Sequence, residues 1–464
     1  MTWTRRNVLK GAAAGAVWTA LPGCSDPTPT LAPGGPGYRP GHPLPWRNWA
    51  GTAWCEPAAR AAPQSEDEVV SWLARAPGPV RPVGAGHSFS PLVPTDGTLF
   101  SLDGLAGLGE VDDAALTAWA WAGTRLGNLG PLLASHGQAM PNLPDIDYQA
   151  LGGALATSTH GTGRRHGSLS DPIDALVLAT PAGELIACDR EREPEVFHAA
   201  RCSLGALGVV TRAKLRNRRA FRVREVTTMR PIQELLDEAE ARADAAPFWE
   251  CYAFPHSSQA MEIVTTETDA PDSEPEDADL NALGDMRALA IRLVQAGRPG
   301  AAVLDAILGA IEPSEKVGPS HRVLAHTRIE RFHEMEYTVP ADAGTACLRE
   351  ILETIRVRRI PIVFPIEFRF VRQDDIWLSM FSGRDGASIS IHQFNDLDYR
   401  PYFDQIEPIF WKYEGRPHWG KLHTLDATRL AERYPHWQDF REVRRALDGD
   451  GRMRNAYLAR ILGS

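Results

Sequence analysis

The stretch LGGALATSTHGTG, residues 151–163, contains four glycines together with the hydroxyl groups of three threonines and one serine. Glycines let a backbone approach an anion closely, and amides with hydroxyls donate hydrogen bonds to phosphate oxygens without a lysine. The stretch matches neither the G-x-x-x-x-G-K-[ST] loop nor the G-x-G-x-x-G turn of a Rossmann helix. It suits a pyrophosphate, although a glycine-rich turn in a sheet explains it equally well when it is taken alone.

A second bare stretch precedes it. VRPVGAGHSFSPL, residues 80–92, leads from a short strand pattern into a turn that carries His87. A lone histidine on a tight turn is by default a surface residue, so this motif also says little by itself. Its neighbours are better defined. Ser65 and Glu68 stand in capping-box register before a helical pattern, and the two apolar runs of Asp174 to Cys188 flank Pro-Ala-Gly, which predicts a hairpin.

The two stretches in this order, with an Asp-Gly strand between them, resemble the FAD-binding domain of the vanillyl-alcohol oxidase superfamily. The resemblance implies an FAD whose pyrophosphate lies along the first turn and whose 8α position bonds covalently to His87. Since no cysteine lies between Cys55 and Cys188, we expect no second, cysteinyl bond. The residues expected to contact FAD are Gly84, Ala85, Gly86, His87, Ser88, Pro144, Gly153, Thr157, Thr159, His160, Gly161, Gly163, Val209 and Val210.

Charged residues recur in the C-terminal third. FPIEFRFVRQDDIWLS, residues 364–379, alternates apolar residues with Glu367 and Arg369, so a strand would place both charges on one face. If that face of the strand is buried, the two charges need a partner or a functional role. If it is exposed to solvent, they form an ordinary ion pair. The stretch GRPHWGKLHTL, residues 415–425, adds Arg416, His418 and Lys421. This high density of basic side chains could belong to a site, but a solvated loop explains it as well.

These C-terminal stretches, together with NAYLARIL near the end, resemble the sugar-1,4-lactone oxidases and the related alditol oxidases. The resemblance implies that Glu367, Arg369 and Lys421 line the face of the flavin where a sugar lactone or polyol binds. Alditol oxidases also use His-x-Thr on an adjacent strand. Here SISIHQFND gives His392 but Phe394 in place of the threonine, which weakens the alditol assignment while His392 stays a candidate.

The implied chemistry is the oxidation of a secondary alcohol, in which a hydride moves to flavin N5 and negative charge develops on the substrate oxygen. Arg369 and Lys421 would stabilise that charge, and Glu367 would orient the hydroxyl. Molecular oxygen is the expected second substrate, since Pro144 stands where dehydrogenases of this family tend to carry alanine. Two alternatives stay open: a dehydrogenase that passes electrons to an envelope acceptor, and a non-catalytic exported sugar-binding lipoprotein.

The N-terminus is typical of an export signal. Paired arginines in TRRNVLK, residues 4–10, precede an apolar run that is too short to span a bilayer. The run ends in LPGC, where Cys24 resembles a lipobox cysteine, although Pro22 leaves ordinary cleavage without a lipid open. We therefore expect a twin-arginine signal and a location in the periplasm or on the outer face of the membrane, with possible attachment through a lipid on Cys24.

The composition argues against general nucleic-acid binding and against a cysteine metal site. The formal net charge of −10 argues against general nucleic-acid binding, which needs clustered lysines and arginines. The six cysteines include no C-x-x-C pair, so we expect no metal site, while disulfides stay possible without being required.

The predicted fold is α+β: a two-lobed FAD-binding domain of the vanillyl-alcohol oxidase (PCMH) type with an antiparallel-sheet substrate, or cap, domain. The length of 464 residues also favours more than one domain. The predicted boundaries are a signal at 1–24, a Pro/Gly-rich linker at 25–45, the FAD-binding domain at 46–219, the cap domain at 220–414 with an acidic insertion at 267–279, and a segment at 415–464 that completes the active site and FAD domain.

Overall fold

The structure is a computed structural model, and it describes residues 39, 41–273, 280–326 and 331–463, with no side-chain description for 280–286. The predicted export signal, the lipobox and most of the linker therefore lie outside the described residues, as do residues 274–279 of the acidic insertion.

The part of the chain before residue 220 forms several small sheets. Its strands are β1 (Trp46–Arg47), β2 (Trp54–Cys55), β3 (Ala59–Ala61), β4 (Val80–Val83), β5 (Thr98–Ser101), β6 (Leu108–Asp112), β7 (Thr117–Trp121), β8 (Gln138–Ala139), β9 (Ile173–Ala179), β10 (Leu185–Asp189), β11 (Val209–Arg216) and β12 (Arg218–Arg219). Its helices are Glu66–Arg75, Leu126–Ala134, Leu151–Ala156 and Pro194–Ala200.

These strands form a parallel sheet in the order β3-β5-β4 and an antiparallel sheet in the order β10-β9-β11-β7-β6. Local sequence explains the elements. The Ser65 side chain accepts a hydrogen bond from the Glu68 N–H and caps the first helix, as predicted. The predicted hairpin is also confirmed, because β9 and β10 pair antiparallel. Gly183 in the turn between them has φ of 84°, a left-handed conformation that favours glycine.

The glycine-rich stretch of residues 151–163 is only partly a loop. Its first residues form the helix Leu151–Ala156, and the loop that follows contains Ser158 in the left-handed region, with φ of 53°. This conformation is unfavourable for a residue with a side chain and persists only where the surroundings hold it. The Ser158 hydroxyl is fixed by Ser379, at 3.0 Å, from the second half of the chain.

The rest of the chain builds one large antiparallel sheet. Its strands are β13 (Arg222–Pro231), β14 (Phe248–Ala253), β15 (Gln259–Glu267), β16 (Ser314–Pro319), β17 (Phe332–Pro340), β18 (Ile366–Val371), β19 (Gly386–Phe394) and β20 (Arg416–Pro417), in the spatial order β16-β13-β15-β14-β18-β19-β17-β20. The helices are Ile232–Ala245, Leu280–Gln295, Arg298–Gly309, Ser320–Val323, Gly344–Arg358, Arg400–Lys412, Ala427–Ala431, Trp437–Leu447 and Ala456–Leu462, with a short 3₁₀ turn at Ala341–Ala343.

The centre of this sheet has two chemically different faces. One face packs Met335, Phe368 and Ile389 into the main hydrophobic core, against helices that include Gly344–Arg358. Because side chains alternate between faces, the residues between these point to the opposite side. That side carries Glu334, Glu336, Glu367, Arg369, Ser388, Ser390 and His392.

The helical pattern after the acidic insertion is interrupted. The sequence predicts one helix from Ala282 to Ile311, but the structure has two, Leu280–Gln295 and Arg298–Gly309, joined at Gly297. Gly297 has φ of 72°, which ends the first helix and reverses the chain. The prediction of a single helix is therefore wrong, and we call the pair the helical hairpin.

The C-terminal residues return to the first part of the chain. The Val80 N–H donates to the Arg452 carbonyl at 2.7 Å, and the Asn455 side chain donates to the carbonyls of Pro91 at 3.0 Å and Leu92 at 3.1 Å. These contacts bracket the turn that carries His87. Within the described residues, the five cysteines are free and buried, and no helix is long and apolar enough to cross a membrane.

Candidate active site

A cavity of about 350 Å³ separates the glycine-rich turns from the polar face of the large sheet. One wall is formed by residues 84–88, 152–153 and 156–157, and the facing wall carries Glu334, Glu367, Arg369 and Lys421. A concave site of this size with a few convergent polar groups is typical of small-molecule binding.

The main-chain wall presents unused hydrogen-bond donors. In the described structure the backbone N–H groups of residues 85–88 donate to no other protein group. A Cβ added to Gly84 would lie 2.8 Å from the Ala150 Cβ, so only glycine lets these two segments meet. A Cβ on Gly153 would meet nothing within 4 Å, since it would enter the cavity. Free amides beside an open cradle fit the pyrophosphate of FAD.

His87 lies between two aromatic rings. Its imidazole stacks on Trp49 at 5.1 Å and on Tyr148 at 5.6 Å between ring centroids. Burial, and then the positive charges of Lys421 and Arg125, together lower the pKa of His87 to about 4. The imidazole is therefore neutral at physiological pH and held in one orientation, which is the form that can act as a nucleophile.

Arg369 is the centre of the charged wall. Its guanidinium lies 3.2 Å from Glu367 and 3.3 Å from Glu336, and all three side chains are buried. Burial alone would lower the pKa of Arg369, but Glu367 and Glu336 raise it above its ordinary value. Glu250, paired with Arg369 across β14 and β18, has its pKa raised well above the usual range, first by burial and then by Glu367. Glu367 also accepts a hydrogen bond from Tyr252, at 2.7 Å.

A second ion pair joins Lys421 to Glu334. Burial alone would raise the pKa of Glu334, but Lys421 and then His392 lower it to about 2, so this carboxylate stays ionised and orients the lysine. His392 lies 3.5 Å from Glu334 through Nε2, and its Nδ1 lies 3.1 Å from the Pro365 carbonyl. Lys421 therefore lines the cavity, and its ammonium group is held in place by Glu334.

Histidines connect the two walls. His160 Nε2 lies 2.7 Å from Glu336, and the His418 ring lies 5.9 Å from that of His160. Burial lowers the pKa of His418 to about 3, so this imidazole is neutral and accepts a hydrogen bond from the Gly420 N–H at 3.0 Å. The ligand-type atoms of His160, Glu336 and His418 lie within 4.8 Å of one another, a spacing that would also suit a cation. The expectation of no metal stays a prediction.

The structure brings most of the predicted site residues to the cavity, but two lie elsewhere. A Cβ on Gly161 would clash with the Leu143 carbonyl, and one on Gly163 with the Pro247 carbonyl. These glycines pack against protein, and the Gly163 N–H donates to Phe370 at 2.8 Å, so the geometry does not support their predicted contact with FAD. The residues that do line the cavity are Gly84, Ala85, Gly86, His87, Ser88, Pro144, Gly153, Thr157, Thr159, His160, Val209, Val210, Glu367, Arg369, His392 and Lys421.

The two explanations offered for the Glu-x-Arg pattern are both partly right. Glu367 and Arg369 form an ion pair, yet at 5% and 6% exposure they do not lie on a solvated face. Arg416, by contrast, is structural, because its guanidinium donates to the Ser382 carbonyl at 2.8 Å and does not line the cavity.

Sequence reasoning missed the carboxylates on β17. Glu334 and Glu336 show the same alternation with apolar residues that revealed Glu367 and Arg369, so the signal was available in FHEMEYTVP, residues 332–340. Glu250 and Tyr252 repeat it on β14. Each pattern alone resembles an ordinary strand with an exposed face, and only the pairing of the strands makes them one site.

Comparison with known proteins agrees with this architecture. The family model described as D-arabinono-1,4-lactone oxidase matches residues 213–461, and one described as FAD binding domain matches residues 57–189. The chain belongs to the D-arabinono-1,4-lactone oxidase family. It is 35% identical over 427 residues to an L-gulono-1,4-lactone dehydrogenase of Mycobacterium tuberculosis, covering 90% of this chain and 99% of that protein.

Other relatives carry related names. An L-gulonolactone oxidase of Bos taurus is 30% identical, covering 90% of this chain and 98% of that protein. An alditol oxidase of a Streptomyces species is 29% identical, covering 89% and 98%. A cholesterol oxidase structure from Brevibacterium sterolicum superposes with a TM-score of 0.74 at 17% identity, covering 94% of this chain and 99% of that one, which concerns the fold alone.

These findings confirm the predicted family, the α+β fold of the FAD-binding type and the FAD cofactor. This protein is an FAD-dependent oxidoreductase. The predicted activity, oxidation of a sugar lactone or related polyol, is confirmed at the level of the family. The predicted roles of individual residues and the domain boundaries stay predictions.

Proposed function

We propose that this protein oxidises a carbinol group of a sugar-1,4-lactone, with FAD as the hydride acceptor at N5. The observation that carries the proposal is the convergence of Arg369 and Lys421, each fixed by a buried carboxylate, on the wall that faces the main-chain cradle. Names of relatives that act on lactones support the same substrate class.

The charged wall would act by preorganisation. When a carbinol loses hydride and its hydroxyl proton, negative charge develops on oxygen, and a fixed guanidinium and ammonium stabilise that charge without reorganising. Glu367 holds Arg369 and is itself held by Tyr252, so it can orient the substrate hydroxyl. Glu334 is a weak base because its pKa is about 2, which assigns it to positioning Lys421.

The direct test is turnover of L-gulono-1,4-lactone and D-arabinono-1,4-lactone by the purified holoprotein, with a dye as electron acceptor. Activity on either lactone supports the proposal. Binding without turnover would instead favour the non-catalytic sugar-binding alternative.

Molecular oxygen is the proposed second substrate. Pro144, which lines the cavity, stands where dehydrogenases of this family tend to carry alanine, and this supports an oxidase. The dehydrogenase relative favours the competing assignment, in which electrons pass to another acceptor. One equivalent of hydrogen peroxide per lactone oxidised supports the oxidase; dye reduction without peroxide favours the dehydrogenase.

A covalent bond between His87 and the 8α position of FAD is part of the proposal. It is supported by the neutral, doubly stacked imidazole on the cavity wall. After denaturation the wild-type protein should stay yellow, whereas the His87→Ala variant should release all of its flavin. His136→Ala, at an exposed histidine, is the matched control. A colourless denatured wild type would overturn the attachment.

Export by the twin-arginine route, with a lipid on Cys24, is proposed from the sequence alone. Replacing Arg5 and Arg6 by lysine should retain the protein in the cytoplasm. Cys24→Ala should leave export intact and release the protein from the membrane fraction. A protein that is exported equally well without the arginine pair contradicts the route.

A further inference from the structure

The cavity extends beyond the charged wall into an apolar arm. Phe332, at the start of β17, and Phe394, at the end of β19, are register partners on the same face as the polar residues of these strands. Phe364, just before β18, packs on Phe332 at 5.4 Å and on Phe394 at 4.8 Å between ring centroids. The same strands therefore supply a charged middle and an aromatic end, and both line one continuous cavity.

The helical hairpin roofs this arm. Ala290 and Val294 from its first helix, and Leu304 and Leu308 from its second, line the same cavity as the aromatic end. We use the name apolar arm for the space between these four residues and Phe332, Phe364 and Phe394.

The roof is fastened at both helices. Arg287 pairs with Asp396 at 2.6 Å and lies over the Phe394 ring at 3.9 Å from its centroid. On the second helix Asp305 accepts hydrogen bonds from the Ser258 N–H at 2.7 Å and the Ser258 hydroxyl at 3.0 Å. These contacts hold the apolar residues of the hairpin over the arm.

A free sugar lactone has no use for such an arm. Its carbon atoms carry oxygen almost throughout, and hydroxyl groups placed among phenylalanine, valine and leucine would lose hydrogen bonds to water without replacement. A hydrocarbon group gains from the same burial. Arg287 also lines the cavity, but its guanidinium is already paired with Asp396.

We propose that the apolar arm binds a hydrocarbon substituent of the substrate, so that this protein acts on lactones or polyols that carry an apolar group. The inference rests on the proposed function and names the substrate class of the same site. An apolar ligand could also be a lipid-soluble quinone that accepts electrons, and the experiment separates these two sources.

The experiment compares L-gulono-1,4-lactone with its 6-O-acetyl, 6-O-butanoyl and 6-O-octanoyl esters, using the holoprotein and a water-soluble dye. Each methylene that enters the arm should lower KM about three- to fourfold while kcat changes little, so even three buried methylenes of the octanoyl chain should give a KM about thirtyfold below that of the acetyl ester. A KM that is independent of chain length, or that rises with it, overturns the proposal.

Variants locate the effect. Leu304→Asn should remove most of the gain for the octanoyl ester and leave KM for the free lactone unchanged, because only the arm is altered. Val303→Asn is the matched control, since Val303 lies on the same helix but is 45% exposed. Ala290→Phe fills the arm without adding a polar group and should act like Leu304→Asn. Equal effects at residues 303 and 304 contradict a role for the arm.

A second comparison addresses the quinone. Decylubiquinone and tailless ubiquinone-0 are tested as acceptors with the free lactone. If the decyl tail improves the acceptor while the KM of the lactone esters does not depend on chain length, the arm is an acceptor site and the substrate proposal is wrong. If none of the lactones is oxidised, the proposed function fails. The arm is then tested by titrating the esters against the flavin absorbance, where the same dependence of affinity on chain length is expected.

Discussion

The two walls of the cavity are built from different materials. The cofactor wall is main chain, with free amides at residues 85–88 and an open position at Gly153, while the facing wall is a set of charged side chains on β17, β18 and neighbouring strands. A wall of backbone tolerates loss of side chains but not added bulk, whereas a wall of buried charges is sensitive to the loss of any partner. Substitutions on the two walls should therefore have opposite patterns of effect.

The largest effect is expected on the charged wall. Arg369→Met leaves Glu367 and Glu336 buried without their shared cation, which should lower the free energy of unfolding by about 3–5 kcal/mol. Lactone oxidation should fall at least about a thousandfold, since a fixed positive charge is lost from the site of developing negative charge. Denaturant titration and steady-state kinetics measure the two effects.

Arg372→Met is the matched control for that experiment. Arg372 follows the same strand and also pairs with a carboxylate, Asp171 at 2.6 Å, but its side chain is 47% exposed. The loss should be below about 1 kcal/mol, because exposed ion pairs contribute little. Similar losses for both variants would contradict the claim that the buried charges of this wall are especially sensitive to the loss of a partner.

Added bulk tests the cofactor wall. Gly153→Leu should leave the fold intact, because the new side chain meets only open space, yet it should reduce FAD per purified chain at least about tenfold by occupying the cradle. Gly309→Leu is the control, since a Cβ there also meets nothing within 4 Å but lies outside the cavity. Full FAD content in the Gly153 variant would show that the cofactor does not follow this wall.

A buried acid contacts the glycine-rich stretch of residues 151–163 through a serine. Asp374 accepts a hydrogen bond from the Ser379 hydroxyl, which in turn accepts one from Ser158. Burial raises the pKa of Asp374 to about 7; Ser379, the Ile376 N–H and Arg201 oppose the rise, and Asp171 adds to it.

The raised pKa predicts how stability changes with pH. A folded-state pKa above the unfolded value means that the folded protein holds the proton between about pH 4 and pH 7, so stability falls as pH rises through this range. Asp374→Asn removes that dependence. Relative to wild type, its free energy of unfolding should rise by about 2–3 kcal/mol between pH 5 and pH 8. Parallel pH profiles of the two proteins would show that the acid is not held protonated.

The smallest effect is expected from truncating a side chain on the cofactor wall. The Thr157 hydroxyl already donates to the Gly153 carbonyl at 3.2 Å, so its loss removes no obligatory contact to FAD. Thr157→Ala should weaken FAD retention by less than about fivefold, the equivalent of one ordinary hydrogen bond. A loss as large as that of Gly153→Leu would mean that hydroxyls, rather than main chain, hold the phosphates.

The sequence by itself determined what depends on neighbours along the chain. The capped helix after Ser65, the hairpin of β9 and β10, the strand that presents Glu367 and Arg369, and the two glycine-rich stretches follow from local spacing and backbone freedom. The FAD cofactor followed from the resemblance of the two glycine-rich stretches to the vanillyl-alcohol oxidase superfamily, and the lactone-oxidase family from the C-terminal motifs; the glycines themselves showed only that a main-chain phosphate cradle was sterically allowed.

Only the tertiary structure decided how distant residues combine. The charged wall joins Glu334, Glu336 and Lys421 to β18 from segments separated by 30 residues or more, and the helical hairpin closes the apolar arm through Arg287 and Asp305. Strand order and helix packing set these partnerships, and neither is encoded in local periodicity. An alternating strand shows which residues share a face, but only its packed neighbours decide whether that face meets water, a core or a substrate.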